Sequence, residues 1–253
     1  MVQVVLLGSG NVATHLSKTF LKAKNVDLVQ VYGRTERSLK HIDNQINTTT
    51  SLNKITKADL YVLAVPDDVI AEFSTTLPFE NALVVHTSGS VAMDELSSNN
   101  RKGVFYPLQT FSKNSHLDFN EVPVCIEAQK NEDLFLLEKL ASAVSKNVYF
   151  IDSNQRKSLH VAAVFVNNFV NHLYHIGHEI CKNHTVPFEI LAPLIRETAK
   201  KIEKIKPLDA QTGPARRHDA QTINSHESLL SEAHQEIYKL LTKSIQKTYG
   251  KEL

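Results

Sequence analysis

The sequence predicts an α/β fold: a mostly parallel sheet covered by helices on both faces, followed by an all-α C-terminal domain. Three observations predict it. Over the N-terminal part, short β-branched runs alternate with longer helical stretches, the pattern of successive βαβ units. Some of those runs, Leu60–Val65 most plainly, are apolar almost without interruption, as strands buried on both faces must be. Past Asp152 no strand-like run occurs and helical stretches take over.

The elements follow in order. Val2–Leu7 is the first strand and Val12–Ala23 the helix after it. Leu28–Tyr32 is a second strand, ended by Gly33. Leu60–Val65 is a third, stopped by Pro66. Ala82–His86 is a fourth, followed by the turn-rich Thr87-Ser88-Gly89-Ser90. Val122–Glu127 and Val148–Ile151 are two more, joined by a helix over Glu132–Val144. Gln155–Asn183 then reads as one long helix, Phe188–Lys206 as a second and Ser225–Tyr249 as a third, with a loop around Gly213-Pro214 before the last. The expected domains are 1–153 and 154–253.

Composition narrows the function classes. A net charge of +1 over 253 residues excludes the broad basic footprint of a nucleic-acid binder. Cys125 and Cys181 match no zinc or redox spacing, and no metal site is expected. No apolar run reaches the roughly 18 residues of a membrane span. The N-terminus has no basic segment ahead of its first apolar run, so no signal peptide is read there. A cytoplasmic protein is expected.

Gly8-Ser9-Gly10-Asn11-Val12-Ala13 fits G-x-G-x-x-A directly after a strand and at the opening of a helix. In that context the first glycine makes a tight turn and the second lets a pyrophosphate approach the backbone. The small third residue lets helix and strand pack, and the helix N-terminus offers free N–H groups to phosphates. The reading is a Rossmann-type dinucleotide site. NAD sites usually carry Asp or Glu at the end of the second strand, for the ribose 2′-hydroxyl. Here the end reads Tyr32-Gly33-Arg34-Thr35, and Arg34 with Thr35 would suit a 2′-phosphate. NADP is therefore expected, with NAD the lesser alternative and Glu36 the evidence for it. Ala64, Val65 and Pro66 end the third strand at the carboxyl edge, where the ligand crevice of such a sheet opens.

Several further motifs are Leu60–Pro66, His86-Thr87-Ser88-Gly89-Ser90, Tyr106-Pro107-Leu108-Gln109-Thr110-Phe111, His160-Val161-Ala162-Ala163 with Asn167-Asn168, and Thr212-Gly213-Pro214-Ala215-Arg216. In this order they resemble a bacterial family that pairs a Rossmann-like domain with the domain of unknown function 2520. The resemblance covers nearly the whole chain. It implies kinship with pyrroline-5-carboxylate reductase and, more distantly, with 6-phosphogluconate and β-hydroxyacid dehydrogenases. It also implies a 6-phosphogluconate dehydrogenase-like helical C-terminal domain that dimerises and helps close the active site. The β-hydroxyacid dehydrogenases carry a catalytic Lys on the first helix after the Rossmann domain, with Asn four residues later. This chain has His160 there with Val164 four residues on, and Lys157 is followed by Val161, so the pair is absent.

At 100° per residue, His160, Asn167, Asn171 and His178 fall on one helix face among apolar neighbours, so a buried polar stripe is expected. His160 and Asn167 are the candidate catalytic residues, with His160 as acid/base and Asn171 as a substrate contact; a hydrogen-bonded helix seam is the structural alternative. His172, His175 and His178 rotate around the helix and do not suggest a metal. His86 and Ser88, at the carboxyl edge, are candidate substrate contacts, although turn hydroxyls often satisfy their own backbone. Arg216 is a candidate clamp for a carboxylate or phosphate, or else an interface residue. The expected function is NADP-dependent hydride transfer to a C=O or C=N group of a small polar or anionic substrate, by a homodimer. The alternative is a non-catalytic dinucleotide-binding sensor or scaffold.

Overall fold

The computed structural model describes residues 1–112 and 117–250. The chain divides into two compact units, Met1–Ala163 and Val164–Leu253.

The first unit holds a sheet of β1 (Val2–Leu7), β2 (Val26–Tyr32), β3 (Thr48–Thr49), β4 (Leu60–Leu63), β5 (Leu83–His86), β6 (Arg101–Pro107), β7 (Val124–Ala128) and β8 (Val148–Phe150). Their order is β3-β2-β1-β4-β5-β6-β7-β8, and all neighbours are parallel except β6 and β7. The helices are α1 (Asn11–Lys22), α2 (Glu36–Leu39), α3 (Ile70–Thr75), α4 (Asn131–Val144) and α5 (Ser153–Ala163). The chain leaves β1 toward β2 and β3, then returns to lay β4 on the other side of β1. That reversal opens a crevice at the carboxyl ends of β1 and β4.

Alternation of side chains explains why the central strands are apolar throughout. Val4, Leu6 and Val62 pack on one face with Leu16 and Phe20 of α1 and Leu137 and Leu140 of α4. Val5, Leu7 and Leu63 pack on the other with Ile70, Leu77 and Leu96. Strand β6 is not among those the sequence pattern predicts. It opens on Arg101-Lys102, carries Gly103 inside, and pairs antiparallel with β7, so it gives no clean apolar run.

The first unit also reaches beyond residue 153, the boundary expected from the sequence, to Ala163. Asp152 caps α5: its Oδ1 accepts from the Asn154 and Gln155 N–H groups, while Gln155 Oε1 accepts from the Asp152 N–H. This reciprocal pair is a capping box, and it starts the helix while the chain is still attached to the sheet.

In the second unit the predicted long helix is interrupted. A π turn over Val164–Phe169 separates α5 from α6 (Val170–Asn183). A wider turn breaks the 100° spacing from which the stripe of His160, Asn167, Asn171 and His178 was read. A short 3-10 turn over Phe188–Leu191 leads into α7 (Ala192–Ile202), followed by α8 (Pro207–Ala210), α9 (Ala220–Ser228) and α10 (Glu232–Thr248). The single helix expected over Ser225–Tyr249 is two, because the Ser231 side chain accepts from the His234 N–H and caps a new one.

The apolar residues around the π turn were expected to be buried, and within one chain they are not. Val161, Phe165, Val166, Phe169 and Leu173 are exposed, Val166 by 72 %. Asn167, Asn171 and His178 are exposed as well. The buried hydrophobic residues among the described ones of this unit are Ala215 and Ile223.

Candidate active site

The glycine turn is built as its spacing requires. Gly8 has φ +139°, and a Cβ there would lie 2.1 Å from the Ala64 carbonyl oxygen, so β1 can cross the end of β4 only with glycine. A Cβ at Gly10 would meet nothing within 4 Å, which leaves open space over the turn. Gly10 is the N-cap of α1, no side chain caps the helix, and its first turn has no acidic residue. The free N–H groups and positive dipole end are thus available to an anion. Val12 packs on the core while Ser9 and Asn11 stay accessible, and Asn11 Nδ2 donates to the Phe111 carbonyl at 3.0 Å.

At the end of β2, Arg34 is exposed and makes no ion pair among the described residues. Thr35 is the N-cap of α2, its hydroxyl oxygen accepting from the Ser38 N–H at 3.2 Å. Ala64 is buried and its N–H donates to the Leu7 carbonyl, so the crevice floor is backbone; Val65 is half-buried and Pro66 exposed.

The loop after β5 is a closed network. His86 is fully buried, and its Nδ1 accepts from the Ser88 N–H at 3.2 Å. Burial first, then the Arg156 charge, lowers its pKa to about 4, so the ring is neutral. The Ser88 hydroxyl oxygen accepts from the Ser90 and Val91 N–H groups. The Ser88 hydroxyl and His86 Nδ1, expected to serve a substrate, are engaged inside the turn, while the buried His86 Nε2 has no hydrogen-bond partner among the described residues. Ser90 Oγ donates to Asp67 Oδ2 at 2.5 Å, joining this loop to the one after β4.

Arg156, on α5, has no exposure at all. It donates to the carbonyls of Ser88 and Val91 and to the Ser153 hydroxyl, and is ion-paired with Glu127 of β7. Glu127 also accepts from the N–H and hydroxyl of Ser153. One helical turn on, this anchor sets His160 against the loop. A Cβ on Gly89 would lie 2.6 Å from His160 Nδ1 and 2.7 Å from Tyr106 Cζ, so glycine is what lets the two rings meet. The Tyr106 hydroxyl is 3.3 Å from His160 Nδ1, with the rings edge to face. Burial first, then Cys125, pushes the Tyr106 phenol up to about 12, so it stays protonated.

The structure therefore brings Gly8, Ser9, Gly10, Ala64, Val65, Pro66, Ser88 and His160 to the carboxyl edge of one sheet. Tyr106, Gly89 and Arg156 join them there, and sequence reasoning missed their part. For Arg156 a signal exists, its i, i+4 spacing to His160, but its partner Glu127 lies far away in the chain. Asn167, Asn171 and Arg216 belong to the second unit, where Arg216 donates to the Gln211 carbonyl and lies 5.0 Å from the centre of the Tyr249 ring. A cavity of about 710 Å³, lined by Lys57, Tyr61, Phe79 and Arg101 among others, sits at the opposite, amino end of the strands and is no part of this cluster. Among the described residues there is no cluster that could hold a metal ion, and no helix is long and apolar enough to cross a membrane.

Residues 3–89 match the family described as NADP oxidoreductase, coenzyme F420-dependent, and residues 122–245 match the domain of unknown function 2520. A Bacteroides fragilis protein assigned as an NADP oxidoreductase is 42 % identical, over 97 % of this chain and 98 % of its own, with a TM-score of 0.87. A reductive aminase from Aspergillus terreus, in complex with NADPH and ethyl levulinate, shares the fold at 13 % identity and TM-score 0.71, over 99 % of this chain and 95 % of its own. So does a 1-pyrroline-5-carboxylate reductase from Streptococcus pyogenes, at 14 % identity and TM-score 0.67, over 98 % of both chains. The curated proteins yield no match.

Proposed function

The chain belongs to the family that joins an NADP oxidoreductase-type Rossmann domain to the domain of unknown function 2520, and from that premise we propose that it is an NADP-dependent oxidoreductase. The reaction we infer is reduction of a C=O or C=N group on a small polar or anionic substrate. One observation carries the reading. The open, uncapped glycine turn and the Tyr106–His160 pair stand at the same carboxyl edge of the same sheet, where Rossmann ligands bind.

The residues fit the cofactor. The backbone N–H groups at Gly10, Asn11 and Val12 would hold the pyrophosphate, and Arg34 with Thr35 the 2′-phosphate. Ala64, Val65 and Pro66 would border the dinucleotide. When bound, the nicotinamide supplies the hydride. His160 supplies the proton that such a reduction needs, or accepts it in the reverse direction. Asn167, Asn171 and Arg216 serve substrate binding in this reading, Arg216 for an anionic group, and His86 and Ser88 support the loop beneath it.

The partner we infer is a second copy of the chain. A helical unit that buries so few of its own apolar side chains, and exposes Phe165, Val166 and Phe169, gains most by covering them with its like. Both cysteines are free, as the reducing cytoplasm would keep them.

The test is calorimetry with NADPH and NADH on the purified protein, followed by NADPH oxidation against a panel of small ketones and imines. Tight NADPH binding with turnover on one probe class is expected. Absence of NADPH binding overturns the reading, and tight binding without turnover on any probe favours a sensor.

A further inference from the structure

Tyr106 comes from a strand the sequence pattern does not reveal, is 8 % exposed, and keeps its hydroxyl for one described partner, His160 Nδ1. The other ring nitrogen, Nε2, makes no hydrogen bond among the described residues. The contact is not incidental packing. Gly89 clears the space for both rings, and the buried Arg156, one turn earlier on α5, fixes the helix that carries His160.

We propose that Tyr106 is a positioning residue for His160: its hydroxyl holds Nδ1 and thereby keeps a hydrogen on Nε2, the nitrogen left to serve the ligand. The role rests on the reductase reading given above. A phenol suits both states of the ring. It can accept from a hydrogen on Nδ1, as it must when the imidazole is protonated. A phenol is the better donor, however, and a bare imidazole nitrogen the better acceptor, so in the neutral ring the contact favours the hydrogen on Nε2. Nε2 then carries a hydrogen both in the protonated ring and in the favoured neutral tautomer, and so presents a donor to the oxygen or nitrogen of the group being reduced. When the protonated ring gives that hydrogen up, the one left on Nδ1 is accepted by the phenol oxygen. The phenol can do this without ionising, since burial holds it protonated far above neutral pH. A histidine without such a partner would divide between two tautomers, one of which presents a bare Nε2.

The experiment is nitrogen-15 NMR of histidine-labelled protein at alkaline pH, with the His160 signals assigned by their loss in His160→Asn. The wild type should show the Nε2–H tautomer in clear excess. Tyr106→Phe keeps the aromatic ring and removes only the hydroxyl. It should lower the ratio of Nε2–H to Nδ1–H by about threefold to tenfold, the worth of one ordinary hydrogen bond, while NADPH affinity and melting temperature stay close to wild type. A dominant Nδ1–H tautomer in the wild type, or an unchanged ratio in the variant, overturns the proposal. The wild-type spectrum decides even if the variant folds poorly. NADPH affinity is read separately, so failure of the reductase reading would show as lost cofactor binding beside an intact tautomer bias.

Discussion

Arg156 and Glu127 form an ion pair in which the guanidinium is wholly shielded from solvent and the carboxylate is 14 % exposed. A charge at that depth is tolerated because nearly every donor is used: two backbone carbonyls, one hydroxyl and the carboxylate. The pair links β7, the loop after β5 and the first turn of α5, and so sets the place of His160. Removing one partner should cost far more than replacing both. Glu127→Ala leaves a buried, uncompensated cation and should lower unfolding stability by about 3–5 kcal/mol. The double variant Glu127→Leu with Arg156→Met should recover a good part of that. Denaturant titration decides, and equal losses in the single and double variants would show that the pair's charge is not what matters.

How far the sequence made this legible depended on the range of each interaction. The glycine turn, β1, α1 and β4 are local: strand, turn and helix lie within a few residues, and their residue types are dictated by backbone geometry. The loop after β5 was legible as a candidate site, but not how its groups are used. His86 and Ser88 bond within the turn, whereas Gly89 serves by having no side chain. Tyr106 and Arg156 were hidden because their partners, His160 and Glu127, are brought near only by the sheet. The stripe on the long helix failed for a different reason. It assumed one constant helical angle from His160 to His178, and the π turn at Val164–Phe169 breaks it.

Cofactor choice should rest on Arg34. The side chain is exposed and without an ion pair among the described residues, so the whole guanidinium is available to a 2′-phosphate. Arg34→Ala should weaken NADPH by about tenfold to a hundredfold, the range of a hydrogen bond to a charged group, and leave NADH within about twofold. Calorimetry with both nucleotides measures this. Equal affinities for the two in the wild type would remove the basis for NADP.

Association should depend on the apolar residues of the π turn. Phe165 and Phe169 meet edge to face with centroids 5.0 Å apart, and Val166 beside them is 72 % exposed. Placing a charge there should cost the isolated chain little but disfavour a buried contact strongly. Val166→Glu is expected to move the protein from dimer to monomer at micromolar concentration, as read by light scattering. A wild-type monomer, or a variant that stays dimeric, would place the contact elsewhere or nowhere.

Stability should fall with acid in a window set by His86. Its pKa in the folded protein is about 4, against an ordinary 6.5, because burial and the nearby Arg156 charge oppose protonation. The unfolded chain therefore binds a proton here at a higher pH than the folded one. Above pH 6.5 neither state carries it, and protonation of this ring makes no difference to stability. As pH falls from 6.5 toward 4 the unfolded state is progressively favoured, and below that both states are protonated and the loss levels off. The difference amounts to about 3 kcal/mol at most. Other histidines and carboxylates titrate in the same range, so the measurement is a comparison. His86→Asn keeps a side-chain oxygen able to accept from the Ser88 N–H but removes the titrating ring. Its stability, followed by denaturant titration between pH 4 and 7, should decline less steeply than that of the wild type, whatever its value at pH 7. Parallel curves for the two proteins would mean that His86 does not stay neutral in the fold, and that the loop after β5 accommodates a charged imidazole beside Arg156.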